Sequence, residues 1–460
     1  MRFSQELGPS TEPDRISALQ DDLLLLILAW LTCIGAAVRT GVLSSRWRGL
    51  WASLRQIIFR DIMFDSIELV LNRYAHPFPI VSLLEIHVSE QDRVDSPSVN
   101  SMLRVAAPLE TEKLVITLPS RSISDQSIIV DLPCFHHATS IVLENFDIIH
   151  CVLADIKFNA LEALSLSCCK ADLDALLSYC PHLHTLHLSG LLFETWNLRV
   201  NSSSLQELIV DTIWAQRVNI VAPILKKLTM IFIPLPELKN VSVLAPMLEE
   251  VEWHCTYSDD SIVFGLWKLE LLRLPATRRQ GKLRSLCIHA CAKLSLLPHE
   301  PTFAEEIEKH IIFKFSNLKL YLLTGGHIFG ALVFYLLTIN RIASSMKRLK
   351  IVLLRSVVKE ECPTDCPCVP MNWRTQTISL TALEEVEING FNGEDHEFDL
   401  LELILICAPM LKRIILRLSH EVLPSGNGCT TIYDMSKVYS SVKCYIYLSS
   451  GLVHHSQDCP

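Results

Sequence analysis

The sequence predicts an α/β chain. A small helical unit comes first, a long stack of strand-bearing repeats follows, and a strand–helix–strand segment lies toward the C-terminus. Three observations carry this reading. A leucine pattern recurs five times in succession between residues 158 and 255. The stretch 14–54 places apolar residues at helical spacing. Residues 359–419 set an apolar helix pattern between two strand patterns.

The repeats align as FNALEALSLSCC, CPHLHTLHLSG, SSSLQELIVDT, APILKKLTMIF and APMLEEVEWHC. Their first apolar residues are Leu161, Leu183, Leu205, Leu225 and Leu248, at spacings of 22, 22, 20 and 23 residues. That is the period of leucine-rich repeats. Within 205–210, Leu208 and Val210 point one way and Ile209 the other, as a strand requires. One short strand cannot bury its inner face alone. Stacking such strands makes a parallel sheet over a continuous core. Leu176 and Leu177, before Pro181, close one return bend. Pro223 and Pro246 sit where the chain enters a strand. Weaker copies are EKLVITLP (112–119) and ATSIVLENF (138–146) on one side. On the other are GKLRSLCIHAC (281–291), FSNLKLYLLTG (315–325), MKRLKIVLL (346–354), LTALEEVEING (380–390) and APMLKRIILRL (408–418). The wider spacing of these copies implies inserted helices or loops. About ten strands in an irregular curved stack are expected.

Composition bounds the function. At 460 residues the chain exceeds one ordinary domain. The net charge of −9 argues against nucleic-acid binding through bulk positive charge. An aromatic content of 7% argues against a stacking platform for single strands. Sixteen cysteines are too dilute for a disulfide scaffold and imply a reducing compartment, cytoplasm or nucleus. Residues 1–13 carry Glu6, Glu12 and Pro13 without an apolar run, so a disordered N-terminus without a signal peptide is expected. Two uncharged runs, 23–38 and 320–340, read as buried helix or strand. The first is shorter than the ~20 residues of a spanning helix. The second is interrupted by Gly325, Gly326, His327 and Asn340. A membrane anchor in either run is the less favoured alternative.

In the helical unit, Asp21 and Asp22 favour a helix start. Leu24, Ile27, Leu28 and Leu31 follow at i, i+3, i+4 and i+7. A second helix fits 36–43. A third, capped by Ser44, would place Trp47, Leu50 and Trp51 on one face. DRISALQDDLLLLILAWL followed by AAVRTGVLSSRWRGLW resembles an F-box of the large plant F-box family. The resemblance implies docking on the Skp-type adaptor of a cullin-RING ubiquitin ligase, with no catalytic role for this chain. The adaptor contacts it implies are Leu19, Gln20, Leu24, Ile27, Leu28, Leu31, Val42, Trp47 and Trp51. The family has Leu-Pro-Asp where this chain has Leu19-Gln20-Asp21, and a proline where Thr32 stands. Losing the first proline loosens the opening helical turn. The resulting reading is a substrate-recognition subunit of an SCF-type ligase. It would bind the adaptor, and through it a cullin, with the F-box, and a target protein with the repeats. The alternative is a non-catalytic interaction scaffold that has lost adaptor binding.

Residues 359–419 resemble the FBD module of plant F-box/leucine-rich-repeat proteins. The resemblance rests on Cys366-Pro367-Cys368, Trp373, the run LEEVEI (383–388), Phe391-Asn392-Gly393, Glu397 and the run CAPMLK (407–412). The residues predict a strand, a turn at Asn389-Gly390 or Asn392-Gly393, a helix over 398–407 and a final strand. A terminal cap for the stack is the simple interpretation. Cys362, Cys366 and Cys368 cluster, with His396 as the one nearby fourth ligand for a metal. The spacing lacks a second CxxC or an HxxxH, so reduced thiols on a surface loop are expected, with no metal and no cofactor. Phosphate-loop, dinucleotide and nucleophile-elbow motifs are absent. His136-His137 and His454-His455 read as surface histidines. Asp259-Asp260 and Glu305-Glu306 read as solvated acidic pairs.

The predicted organisation is a three-helix F-box (14–54), a linker and first repeat (55–106), an irregular leucine-rich-repeat solenoid with a parallel sheet (107–358), an FBD cap (359–420) and a C-terminal tail (421–460).

Overall fold

A computed structural model describes residues 16, 19–31, 33–74, 81–120, 128–146, 148–150, 157–190, 197–234, 239–257, 262–275, 284–293, 303–355, 362, 366–420, 427–448 and 451–455. The chain divides into two compact units, Met1–Leu183 and His184–Pro460. The expected disordered segment 1–13 and Thr32 lie outside the described residues.

The first unit opens with helices α1 (Asp21–Ala29) and α2 (Ile34–Arg39) and the 3-10 turns Thr40–Val42 and Leu50–Ser53. The expected third helix is absent between them: 44–49 forms turns. Gly49, at φ 96°, breaks any helix there and leads into the short 3-10 turn. Strands and helices alternate as far as β3, after which strands follow one another to β7: β1 (Gln56–Phe59), α3 (Phe64–Tyr74), β2 (Val81–His87), α4 (Ser96–Ala106), β3 (Thr111–Thr117), β4 (Ile129–Asp131), β5 (Ser140–Glu144), β6 (Ile148–His150), β7 (Ala163–Ser167) and α5 (Leu173–Ser178). Strands β1, β2, β3, β5 and β7 pair in that order, all parallel. Strands β4 and β6 form a separate parallel pair.

The segment 55–106, expected as a linker and one repeat, therefore holds two strand–helix repeats. Its helices are amphipathic. In α4, Val99, Met102, Leu103 and Ala106 are buried at i, i+3, i+4 and i+7. Asp95 caps that helix by accepting the Ser98 N–H at 2.9 Å.

The second unit begins with β8 (Thr185–Ser189), β9 (Asn197–Asn201), β10 (Glu207–Ala215), β11 (Arg217–Val221), β12 (Lys227–Pro234), β13 (Asn240–Leu244) and β14 (Glu250–Thr256). Strands β8, β10, β12 and β14 form a parallel ladder. Strands β9, β11 and β13 form a second parallel sheet, so these repeats return through strands.

Then come β15 (Val263–Phe264), β16 (Trp267–Leu274), β17 (Ser285–Ala292), α6 (Phe303–His310), β18 (Asn317–Leu323), α7 (Gly330–Thr338), α8 (Asn340–Ala343), β19 (Arg348–Leu354), β20 (Glu385–Phe391), α9 (Asp395–Cys407), β21 (Arg413–Leu418), α10 (Asn427–Val438), β22 (Lys443–Leu448) and β23 (Gly451–His455). Strand β16 runs antiparallel to both β14 and β17, which interrupts the expected parallel order. Strands β17 to β22 are again parallel neighbours, and β23 closes antiparallel on β22.

The FBD-like segment is thus not the end of the sheet. Residues 421–460, expected as a tail, add α10, β22 and β23. Helix α9 starts at Asp395, three residues before the expected 398. Of the two uncharged runs, one is broken between α1 and α2, and the other is a strand, a glycine turn and a helix. No helix among the described residues is long and apolar enough to cross a membrane.

The leucine pattern has a direct structural reading. The Leu225 N–H donates to the Ala222 carbonyl at 3.1 Å, closing a turn with Pro223 at its second position. Leu161, Leu183, Leu248, Leu383 and Leu411 close the same turn. Across repeats, the Gln206 carbonyl accepts both the Lys226 and Lys227 N–H at 2.8 and 3.0 Å. Leu205, Leu208 and Val210 are then fully buried together, as are Leu225, Leu228 and Met230.

The second half of the pair Glu305-Glu306 is not solvated. Glu306 is 2% exposed and lies on α6 beneath β14. It accepts the Tyr257 O–H at 3.0 Å and pairs with His310 Nε2 at 3.0 Å and Lys309 Nζ at 3.2 Å. Trp253 Nε1 donates to His310 Nδ1 at 3.3 Å. Burial alone would raise the Glu306 carboxyl, but His310 and Lys309 outweigh it and hold the pKa below the usual carboxylate range.

A depressed folded-state pKa contributes stability above the unfolded value, and that stability is lost as pH falls through the folded one. Unfolding of the second unit should therefore show an acid limb below about pH 4.5. Glu306→Gln should cost about 3 kcal/mol at neutral pH and flatten that limb, measured by urea unfolding at several pH values. Leu228→Ala should cost about 2–5 kcal/mol with no pH dependence.

Candidate functional site

The N-terminal helical module has a closed interior and an apolar exterior. Leu24 and Leu28 from α1, Ile34 and Ala37 from α2, and Trp47, Trp51 and Leu54 are all buried. The module is tied down within its unit. Trp51 packs edge-on against Tyr74 of α3, with ring centroids 5.3 Å apart. The Tyr74 O–H donates to the Trp51 carbonyl at 2.5 Å, and burial pushes the Tyr74 pKa up. Arg46 pairs with Asp21 at 2.6 Å, holding the 44–49 turns to the start of α1.

The other side of the module is apolar and open. Leu23, Leu26 and Ile27 project from α1, Trp30 from the residue that ends it, and Val42 and Leu43 from the turn after α2. Trp30 is 84% and Val42 85% exposed. Grouped exposed apolar side chains of this size mark an interaction surface.

The nine residues expected to contact an adaptor divide accordingly. Gln20, Ile27 and Val42 face outward, and Leu19 and Leu31 are half-buried. Leu24, Leu28, Trp47 and Trp51 lie in the interior, so in this structure they support the face and do not form it. Leu23, Leu26, Trp30 and Leu43, which are not among the nine, also face outward. The available signal was the run LLLLILA in α1, apolar all round, which offers more apolar surface than one small core can bury.

A second face belongs to the sheet of the second unit. Buried Leu, Ile and Val alternate there with outward charges. Strand β20 is acidic between two basic neighbours. Glu384 lies 3.8 Å from Lys347 and 3.0 Å from Lys412. Glu387 lies 2.9 Å from Lys350 and 3.2 Å from Arg417. Burial tends to raise the Glu387 pKa, but the two cations hold it low. Rings share this face: His289 stacks on Tyr321 at 4.4 Å, and the Arg417 guanidinium lies 4.6 Å from the Tyr447 ring. The run LEEVEI is therefore the central rung of a charge ladder.

Other motif residues also find structural roles. The Glu397 carboxylate accepts the N–H groups of Asn392, Gly393 and Glu394 at 2.8, 2.7 and 3.1 Å and pairs with Arg355. Trp373 packs on Gly330, where an added Cβ would meet the ring at 2.3 Å.

The cysteine cluster departs from expectation. Cys366 and Cys368 are buried, not on a surface loop. The nitrogen near them belongs to His327, whose Nδ1 is 3.3 Å from Cys366 Sγ. His396 instead lies against Phe329 and Glu394. His327, Cys362, Cys366 and Cys368 bring four donor atoms within 4.8 Å of one another. His137 is exposed, 4.0 Å from Glu110, and His136 lies 3.5 Å from Cys134 Sγ. Asp259-Asp260 and the side chains of His454 and His455 lie outside the described residues.

Comparison with known proteins agrees with this architecture. Residues 99–252 match the family model described as FBD-associated F-box protein At5g56370, LRR repeats. An Arabidopsis thaliana F-box/FBD/LRR-repeat protein, At2g04230, is 30% identical over 241 residues, 48% of this chain and 48% of its own length. Another, At5g56810, is 28% identical over 200 residues, 39% of this chain and 43% of its own. The F-box/LRR-repeat protein At3g03360 of the same plant is 28% identical over 202 residues, 38% of this chain and 40% of its own. The matches cover about half the length of these relatives or less.

The division between interior and exterior is testable without any partner. Trp47→Ala should destabilise the module by about 3–5 kcal/mol. Val42→Asp should stay within about 0.5 kcal/mol of the parent, and Ile27→Asp, which loses some buried surface, should cost less than Trp47→Ala, both read by hydrogen exchange of the 21–54 amides.

Proposed function

We propose, from the chain's kinship with plant F-box/FBD/leucine-rich-repeat proteins, that it is a substrate-recognition subunit of an SCF-type ubiquitin ligase. The carrying observation is the outward apolar face of Leu23, Leu26, Ile27, Trp30, Val42 and Leu43 on a module whose interior is already filled. A Skp-type adaptor with an apolar groove would cover it, and a cullin would join through the adaptor. The charged and aromatic face of β17–β22 would hold a target protein. The mechanism is proximity. Holding target lysines near a ubiquitin-loaded conjugating enzyme raises their effective concentration, and this chain supplies no nucleophile. Such work would place it in the cytoplasm or nucleus.

The missing proline leaves the geometry intact. Gln20 sits at φ −69° and ψ 156°, dihedrals that proline itself favours, so α1 still starts at Asp21. Gln20→Pro should raise module stability by about 0.5 kcal/mol, read by hydrogen exchange of the 21–54 amides, and leave adaptor affinity of the folded module unchanged.

The direct test is co-purification with a Skp-type adaptor. Leu26→Asp, Ile27→Asp and Val42→Asp together should abolish it, since each buried apolar side chain is worth about 1.5–3 kcal/mol. Equal capture of the parent and the triple variant would overturn the assignment. A parent chain that captures no adaptor would favour the scaffold reading.

A further inference from the structure

We propose that His327, Cys362, Cys366 and Cys368 form a structural zinc site of the Cys3His type in the second unit.

The geometry fits the ion. Tetrahedral zinc holds sulfur at about 2.3 Å and imidazole nitrogen at about 2.0–2.1 Å, so neighbouring donors stand roughly 3.3–3.9 Å apart. Cys362 and Cys368 have their sulfurs 3.3 Å apart, and Cys366 Sγ is 3.3 Å from His327 Nδ1. All four donor atoms lie within 4.8 Å of one another. A disulfide between Cys362 and Cys368 would need about 2.05 Å and would leave a third thiol and an imidazole crowded beside it.

The site is also built. Gly325 and Gly326, both at positive φ (55° and 90°), turn the chain after β18 and bring His327 to the cysteines. The His327 N–H donates to the Thr324 carbonyl at 2.9 Å. On the other side, the Val369 N–H donates to the Cys366 carbonyl at 3.2 Å, folding the CPC segment into a turn. That turn is pinned to the hairpin of β15 and β16: the Leu266 N–H donates to the Pro367 carbonyl at 3.1 Å. The contact is so close that a Cβ at Gly265 would meet the Pro367 oxygen at 2.1 Å. Leu266, Ile328, Ala292 and Val369 pack against the buried Cys366 and Cys368.

Burial pushes the Cys368 thiol up, with its neighbours Cys362 and Cys366 adding to the shift. Zinc reverses this, because thiolate is the form that ligates. On binding, three S–H protons and the ion's bound waters leave to solvent, four coordinate bonds from sulfur and nitrogen form, and no electrons are transferred. Four protein ligands leave no open position, which marks a structural and not a catalytic ion. The ion would join the turn before α7 to the loop leading to β20.

Apolar packing of reduced cysteines is the competing account. It explains the burial of the sulfurs but gives no reason for an imidazole nitrogen among them.

The test uses the full chain, expressed with zinc and purified under reducing conditions. Elemental analysis should find one zinc per chain, and cobalt(II) exchange should give a thiolate-to-cobalt charge-transfer band with tetrahedral ligand-field bands. The double variant Cys366→Ser, Cys368→Ser should lose zinc at least tenfold, while Cys168→Ser, at an exposed cysteine of the first unit, should keep it. His327→Cys should keep the metal and shift the cobalt bands toward a four-thiolate pattern. The proposal is overturned by a zinc-free parent without the cobalt band, whether its thiols are reduced or Cys362 and Cys368 are joined. It is equally overturned by a double variant that keeps its zinc, or by His327→Cys with unchanged cobalt bands.

Discussion

In most of the parallel repeats, one carbonyl at the mouth of a repeat sets the register of the next. His184 receives two amides from Gln206 and Glu207, and Lys226 receives two from Glu249 and Glu250. The Lys347 carbonyl does the same for Glu384 and Glu385. Because side chains alternate along a strand, a slip of one residue would exchange the two faces of the sheet. The buried Leu208, Leu228 and Val251 and the outward charges of β20 depend on that fixed entry point. The short turn before each strand, with proline at its second position in the APxL copies, delivers the chain to it.

Hydrophobic layering was legible in the sequence because leucine spacing reports it directly. Every segment read as a repeat copy contains a strand. What escaped was everything without a leucine signature. The return strands β9, β11 and β13 are short and carry polar residues such as Asn197, Arg199 and Asn219, so their pattern is faint. Of the two repeats that hold β1 and β2, only one was expected, because their helices, not their strands, carry the stronger period. The reversal at β16 could not be read, since WKLELLRL alternates equally well in either direction. The third helix failed on a single glycine, Gly49, whose positive φ no periodicity reveals.

The sites followed the same division. Residues chosen by likeness to a helical motif mixed the module's supports with its face, because a sequence motif records both without distinguishing them. Trp47 and Trp51 hold the module together, whereas Trp30 and Val42 stand outside it. Pairings distant in sequence were invisible. His327 reaches the cysteines across 35 to 41 residues through a glycine turn, and Glu306 meets Tyr257 across 49. The acidic run of β20 became meaningful only when its basic neighbours appeared on both sides. Glu397 likewise acts through three backbone amides and Arg355, which together fix the start of α9.

These features describe a chain with an apolar face in one unit and a polar, aromatic face in the other. The proposed function rests on the first of these serving as a docking face. Hydrogen–deuterium exchange of the full chain, with and without a purified Skp-type adaptor, tests it most directly. The expected result is slowed exchange confined to amides of 21–43, with the β10, β12 and β14 amides unchanged. Unchanged exchange across 21–43 at saturating adaptor, or protection confined to the repeats, would contradict the account.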